Sequence, residues 1–530
     1  MKIKSFLALV MASAILVACS NDDADDGGVV KNPQGKAWLS LTIKNPSSGG
    51  SGLRSLNSNN QDAGTADETD IKNVRAIFFD GTLDVIEDKA LTLTEAGNPG
   101  QPSGSPGEAF EVDASAEHVM IVINPPASYP ASWTVGTPFS TVNAAVEADV
   151  STIISSTNGF MMTNAKGDLE PSLSDGTLTA LTLYNTKANA ENSPLTINVD
   201  RVVSKVRLYT ATATHPGADV SDIGWTLNVT NKKYYPLSKR TPTYLGTLTP
   251  FDLYGLGSYR IDPNYDHTAI LYPSSDYDDN YNYFTTSSNP SFINPVDHVA
   301  PGPPQYCHEN TQRKEDNNYA YTTQILVKAK YVPTSYKLAD GTTTSVKGNN
   351  DDWMRISGTA YTFASLMTYI TAELNSKYAL ADPSLYSTPR ANALNNYLNA
   401  IGVGAVSIPN TPGTVAATII AAFQAKKIPI ETAINRAGTF GTFSYYAYGL
   451  NYYKIAIKHD DTGTDKNELG EFGVVRNSVY DVRITKFNNP GLPAIPDPDP
   501  TDPIDPADGS WLSVQIDINP WTWYVQEEEL

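Results

Sequence analysis

The sequence predicts a mainly β protein with two domains, and three observations carry this prediction. The chain has 530 residues, more than one hydrophobic core usually supports, so at least two domains are expected. It contains 30 Tyr, 36 Gly and 36 Pro among many Thr, Ser and Asn, a composition that favours strands joined by turns. Short runs in which apolar and polar residues alternate recur along the chain, as expected for strands with one buried face.

Charge and cysteine content exclude several classes of function. The net charge is -20, so the surface should repel nucleic acid and anionic membranes. Of the two cysteines, Cys19 lies in the leader, so Cys307 has no partner for an intramolecular disulfide in the mature chain. No phosphate loop or catalytic triad is evident, and we predict no enzyme activity and no cofactor.

Residues 1–19 are predicted to be a lipoprotein signal peptide. Lys2 and Lys4 precede an apolar run over residues 5–18 that is too short to span a bilayer as a stable helix. The run ends in Leu-Val-Ala before Cys19, which resembles a bacterial lipobox and predicts that this thiol carries the lipid. Residues 20–36 then form an acidic tether.

The N-terminal β domain is predicted over residues 37–200. Its first strand, residues 37–45, should be half-buried, with Leu39, Leu41 and Ile43 on the buried face. Residues 46–70 have almost no apolar content and are predicted to be a flexible exposed loop, in which Arg54 is the only basic residue. Further strands are predicted at residues 74–79, 118–123 and 195–199.

The second β domain is predicted over residues 201–489. Its strands should lie at residues 202–209, 225–229, 269–272, 323–332, 445–458 and 474–487. Apolar residues at helical spacing predict a helical insertion at about residues 361–428. This insertion could bind a partner or could cap one sheet.

The C-terminus is predicted to carry a strand on an unfolded linker. Residues 490–508 are rich in Pro and Asp and should be semi-extended. In the final segment, residues 509–530, the apolar side chains alternate until Pro520 and need a hydrophobic groove. They are Leu512, Val514, Ile516 and Ile518, followed by Trp521.

The two terminal strands resemble each other. Residues 38–43 read Trp-Leu-Ser-Leu-Thr-Ile and residues 511–516 read Trp-Leu-Ser-Val-Gln-Ile. Two ordinary strands could match by chance, but one copy precedes the exposed loop and the other ends the chain. If a protease cuts the loop, the first strand can leave and the C-terminal strand of another subunit can add to the open sheet edge. One groove and one donor in each subunit give an open, head-to-tail filament.

Several segments together resemble fimbrillins of the FimA and Mfa-like type, the subunits of type V pili in Bacteroidales. They are Gly-Val-Val-Arg-Asn-Ser-Val-Tyr-Asp-Val-Arg-Ile at residues 473–484, residues 199–206, residues 225–231 and Ile-Asn-Pro-Trp-Thr at residues 518–522. The resemblance implies two β-sandwich-like (transthyretin-like) domains and a C-terminal donor strand.

The resemblance also implies a pathway of assembly. The chain would be exported to the outer membrane as a lipoprotein, held there only by the lipid (palmitate) on Cys19. An arginine-specific protease would then cut between Arg54 and Ser55, and copies would polymerise into an extracellular fimbrium that supports adhesion. Arg75 is a poorer cleavage site because it lies in a predicted strand. Accessory fimbrial subunits and an unknown adhesion receptor are the other implied partners.

Two other functions remain open from the sequence: an accessory anchor or tip subunit of the same fibre, and an unrelated glycan-binding surface lipoprotein. A tip subunit should lack the donor strand, and an anchor should keep its lipid and resist cleavage. Tyr445-Tyr446 and Tyr452-Tyr453 could stack on sugars, but cross-strand packing is the simpler interpretation.

Two polar clusters are weak candidates for metal sites. Asp276, Asp278, Asp279 and Asn280 lack the Gly and the distal Glu of an EF-hand loop. Cys307-His308-Glu309 has no second thiol nearby and is predicted to be a surface loop.

Overall fold

A computed structural model describes most of the chain outside its termini and several internal segments. The described residues are 28–29, 35–44, 64–97, 106–155, 157–165, 179–210, 217–240, 260–297, 303–313, 316–338, 340–356, 358–362, 365, 438–440, 443–459, 469–502, 504 and 512–520. The predicted helical insertion therefore lies almost entirely outside them. In the described part of the chain, no helix has the length and apolar character needed to cross a membrane.

The first region of the fold contains twelve strands among the described residues. They are β1 Lys36–Leu39, β2 Leu41–Lys44, β3 Val74–Phe79, β4 Val85–Leu91, β5 Phe110–Asp113, β6 His118–Ile123, β7 Val146–Glu147, β8 Ile154–Ser155, β9 Gly159–Phe160, β10 Met162–Asn164, β11 Thr179–Ala180 and β12 Leu195–Arg201. Its short helices are α1 Ala66–Thr69, α2 Phe139–Val142, α3 Val150–Ile153 and α4 Lys187–Asn192.

Among its described residues, the second region contains one short α-helix, α5 Ser275–Asn280, and many strands. The strands are β13 Val203–Thr210, β14 Ala218–Asn228, β15 Thr230–Asn231, β16 Lys233–Tyr234, β17 Lys239–Arg240, β18 Arg260–Ile261, β19 Tyr281–Asn282, β20 Val296–Asp297, β21 Gln305–His308, β22 Gln324–Pro333, β23 Tyr336–Lys337, β24 Thr343–Thr344, β25 Trp353–Ile356, β26 Thr359–Tyr361, β27 Gly438–Phe440, β28 Phe443–Tyr446, β29 Leu450–Ala456, β30 Ser478–Phe487 and β31 Leu512–Pro520. The prediction of a mainly β fold is confirmed.

The first region is built on one large sheet covered by a short ladder. The sheet has the order β2-β12-β10-β6-β3-β4, and β11 also pairs with β6. All six residues of β3 are buried, because its apolar run lies between two neighbouring strands and under the β1-β5 ladder. Phe110 of β5 meets Phe78 of β3 edge to face, with ring centroids 6.5 Å apart, so the ladder packs on the sheet.

The second region packs two sheets around a separate core. One has the order β20-β13-β30-β31, with β21 also pairing with β13, and the other has the order β14-β22-β29. Side chains from both sheets form one buried cluster that includes Val206, Tyr480, Trp225 and Val327. The predicted packing role of the tyrosine pairs agrees with this core: Tyr446 stacks on Trp353 at 4.0 Å and Tyr453 meets Phe487 at 5.3 Å.

The chain passes directly from one region to the other at residue 202. β12 ends at Arg201 in the first sheet, and β13 begins at Val203 in the second. Hydrogen bonds also join the regions: Asn143 Nδ2 donates to the Leu237 carbonyl at 3.1 Å, and His308 Nε2 lies 2.9 Å from the Ala148 carbonyl. The regions therefore share an interface rather than a flexible hinge.

Three local predictions are wrong. Residues 269–272 are not a strand, because a 3₁₀ turn over His267–Ala269 leads there to a buried tyrosine cluster. The strand predicted over residues 445–458 is broken by a second 3₁₀ turn at Ala447–Gly449, where Tyr448 has a φ of 56°. Cys307, His308 and Glu309 are not a surface loop, since the first two end β21 and all three are at most 1% exposed.

Candidate functional site: the first strand and its neighbours

The first strand crosses from one layer of the N-terminal domain to the other. β1 pairs antiparallel with β5, placing Trp38 opposite Glu111. After Ser40 the chain enters the large sheet, where β2 pairs parallel with β12 and Leu41 lies opposite Leu195. One run of nine residues, 36–44, thus joins both layers, which corrects the prediction of a single uninterrupted strand.

Hydrogen bonds to Gly107 fix the crossover. Ser40 Oγ donates to the Gly107 carbonyl at 2.8 Å, and the Gly107 N–H donates to the Leu41 carbonyl at 2.8 Å. The Ser40 carbonyl in turn accepts from the Leu195 N–H at 2.8 Å. A Cβ atom on residue 107 would lie 2.0 Å from the Glu95 carbonyl oxygen, so only glycine fits here beside the backbone of Glu95.

The first strand is buried on both faces, not half-buried as predicted. Leu39, Leu41 and Ile43 are 1%, 0% and 0% exposed, and Ser40 and Thr42 on the alternate positions are 1% and 6% exposed. The crossover explains the difference, because a strand that passes between two layers has no solvent face. Its three apolar side chains belong to the main core of the domain.

The end of the predicted exposed loop is anchored between the domains. Glu68 of α1 is 1% exposed, although it was predicted to lie in a flexible segment. Its carboxylate accepts hydrogen bonds from the Thr65 N–H at 2.7 Å and the Tyr306 hydroxyl at 2.5 Å, and lies 2.9 Å from Lys205 Nζ. Thr65 and Glu68 have the spacing of a capping box, the signal in the sequence that would have predicted this turn.

The C-terminal strand pairs with its own second domain. β31 lies antiparallel to β30, with Leu512 opposite Phe487 and Ile516 opposite Val482. Among the described strands it has β30 as its one partner and stands at the edge of the five-stranded sheet. In this conformation the strand predicted to be a donor is stored on its own subunit.

The segment before it is docked, which corrects the prediction of an unfolded linker. Ile495 and Ile504 are 5% and 3% exposed, and the second packs with Tyr319 and Phe472. Backbone hydrogen bonds join Leu492 to Tyr452 in both directions at 2.8 Å. The segment is extended, as predicted, but its apolar side chains attach it to the second domain.

The predicted processing residues lie outside the described part of the chain, and so does Trp521. This applies to Cys19, Arg54 and Ser55, whose roles stay predictions. Arg75 is described, and its position in β3 agrees with its low rank as a cleavage site: the side chain is 8% exposed and forms a bidentate pair with Asp88.

The two polar clusters that were considered as metal sites make ordinary structural contacts instead. Asp276, Asp278 and Asp279 lie on α5, where Asp278 accepts a hydrogen bond from the Tyr283 hydroxyl at 2.5 Å. Burial raises the pKa of Cys307 to about 12, so this thiol is not a ready thiolate ligand. Among the described residues, no group of three or more His, Cys, Asp or Glu is arranged to hold a metal ion.

Residues 444–527 match the family model described as "Major fimbrial subunit protein type IV, Fimbrillin, C-terminal". The matched region begins in β28 and includes β29, β30 and β31, so the predicted resemblance to fimbrillins is confirmed there. No curated protein matches the chain.

Solved structures similar to this chain include one from Parabacteroides distasonis and two from Porphyromonas gingivalis. A proposed cell adhesion protein from Parabacteroides distasonis is 12% identical, with 93% of this chain and 98% of that chain covered and a TM-score of 0.42. A fimbrilin (fimA) from Porphyromonas gingivalis is 13% identical, with 92% and 99% covered and a TM-score of 0.37. The tip fimbrial protein Mfa3 from Porphyromonas gingivalis is 11% identical, with 92% and 100% covered and a TM-score of 0.31.

Proposed function

Taking the fimbrillin match of residues 444–527 as premise, we propose that this chain is the structural subunit of a surface fimbria and polymerises by strand exchange. It is exported as a lipoprotein on Cys19, cut between Arg54 and Ser55 by an arginine-specific protease, and assembled head to tail with other copies. The observation that carries the proposal is the burial of the first strand in two ladders at once, immediately before the segment with the single arginine.

The energetics favour exchange only after cleavage. Three buried aliphatic side chains at roughly 1.5–3 kcal/mol each give the first strand about 5–9 kcal/mol of gross stabilisation. While it is tethered, its effective concentration excludes an equivalent strand from another subunit. Cleavage removes this advantage, and the strand can dissociate from β5 and β12.

The donor of the next subunit then has to leave its stored position on β30. There it pairs with one described neighbour, whereas the vacated groove provides β5 on one side of the crossover and β12 on the other. The ladders of the groove pair eight residues and β30 pairs nine, so the number of ladder bonds is similar in the two states. The exchanged state is favoured because it refills the open core of the first region. Ile504, the last described residue before β31, is docked on the second domain and stands eight positions before Leu512.

This proposal is tested with residues 20–530, which lack the lipid-bearing Cys19, treated with an arginine-specific protease. Intact mass is followed together with electron microscopy and electrophoresis in detergent. A product that starts at Ser55, together with filaments and detergent-resistant ladders, is the expected result. Complete cleavage that yields only monomers would overturn the proposal and favour an accessory subunit or a glycan-binding lipoprotein.

A further inference from the structure

The crossover at Ser40 is a position where one side chain of the incoming strand can determine the register of that strand. Ser40 is 1% exposed, and its hydroxyl is the group that satisfies the buried Gly107 carbonyl. The matching hexamers place Ser513 at this position when Trp511 is aligned with Trp38 and Ile516 with Ile43. Serine is the residue type that fits a buried site next to a glycine and also supplies a donor.

We infer that Ser513 sets the register of assembly by donating its hydroxyl to the Gly107 carbonyl of the neighbouring subunit. This inference rests on the proposed strand exchange and adds the register and the residue that selects it. In this register Leu512, Val514 and Ile516 take the positions of Leu39, Leu41 and Ile43, and Gln515 takes the position of Thr42.

Alternative registers are disfavoured for two different reasons. A shift by one residue would turn every apolar side chain of the donor to the opposite face. A shift by two keeps the faces but brings Trp511 or Gln515 to the crossover, where the side chain now enclosed is that of Ser40, which is 1% exposed. Both of these side chains carry an N–H donor, but each is much larger than the enclosed serine, so either would force the surrounding residues to shift.

The register can be measured with disulfides across the parallel ladder. Thr42 lies opposite Thr196 of β12, so the inferred register places Gln515 of one subunit beside Thr196 of the next. Thr196 is exposed, and neither it nor Gln515 is one of the apolar core positions. Paired strands bring Cα atoms to about 5 Å, within the range of a disulfide.

Three double variants of the full chain with Cys19 replaced are cleaved, polymerised and oxidised: T196C with Q515C, N198C with Q515C, and T196C with D517C. All three keep Ser513, and the second and third report shifts of two residues in opposite directions. We expect an intermolecular ladder in non-reducing electrophoresis from the first pair and little from the other two. Filaments that form normally but cross-link in the second or third variant instead would overturn the register while leaving strand exchange intact. Absence of filaments from the wild-type chain would instead overturn the proposed function.

The role of the hydroxyl is tested in the T196C/Q515C background. Ser513→Ala should lower the rate of ladder formation roughly fivefold, the effect of one lost hydrogen bond to a buried group. Ser510→Ala is the matched control, because its position corresponds to Ala37, which already carries a methyl group. Equal rates for Ser513→Ala and Ser510→Ala would show that Ser513 does not select the register.

Discussion

The carboxylate of Glu68 lies 2.9 Å from Lys205 Nζ, and this ion pair joins α1, just after the predicted cleavage loop, to the first strand of the second domain. The two side chains are 1% and 5% exposed. The Tyr306 hydroxyl and the Thr65 N–H complete the hydrogen bonds of the carboxylate. The segment that follows the loop is therefore held between the domains independently of the first strand.

Glu68→Gln should lower the free energy of unfolding by about 3 kcal/mol, because it leaves the Lys205 charge buried without its carboxylate. Urea denaturation measures this change. Lys347→Ala is the control: its pair with Asp219 is 43% and 62% exposed, and its removal should change stability by less than about 0.5 kcal/mol. A Glu68→Gln chain as stable as wild type would show that the anchor does not depend on this ion pair.

The strands with regular alternation could be predicted from sequence, and the crossover could not. β22 and β30 were predicted within a few residues because their apolar positions recur with a period of two. The break at Ser40 depends on Gly107, which lies far along the chain, and local periodicity contains no information about it. Glu68 was predicted to lie in a flexible exposed loop and residues 490–508 to be an unfolded linker, both because of their composition, but tertiary partners bury the Glu68 carboxylate and the side chains of Ile495 and Ile504.

Acidification should weaken the domain interface through His308. Burial lowers the pKa of His308 to about 4, and its Nε2 atom lies 2.9 Å from the Ala148 carbonyl of the other domain. Between this value and the unfolded pKa of about 6.5, the unfolded chain binds a proton that the folded chain does not. Stability from this group is therefore complete above about pH 6.5 and is lost as the pH falls towards 4, by up to about 1.4 kcal/mol per pH unit.

The comparison of wild type with His308→Gln isolates this contribution from other titrating groups. Glutamine keeps an N–H donor for the Ala148 carbonyl and does not titrate in this range. Between pH 7 and pH 4.5, the urea midpoint of unfolding should fall further for wild type than for the variant. Equal losses in the two chains would assign the acid sensitivity to other residues.

Arg54→Ala should give a folded, lipidated monomer that does not assemble. The first strand then stays tethered, and its effective concentration continues to exclude a donor. Arg54→Lys is the matched control, since it keeps the positive charge but removes the side chain that an arginine-specific protease requires. Intact-mass measurements should show that both variants remain uncut, and electrophoresis should show no ladders. Fibres from either variant would contradict the processing step.

Ile516→Asp should convert a subunit into a chain terminator. Its groove is intact, so it can still accept a donor, but its own donor would place an unpaired carboxylate at the position of Ile43, which is 0% exposed. Alone, this variant should be cleaved and remain monomeric. Mixed at a low ratio with wild type before cleavage, it should shorten the fibres seen by electron microscopy in proportion to its fraction, because each incorporated copy ends growth at one end.

Gln526→Asp, which adds the same charge beyond β31, should leave fibre length unchanged. If Ile516→Asp fibres were as long as those of wild type, the donor would have to lie outside residues 512–520, since a buried carboxylate there is incompatible with a closed groove.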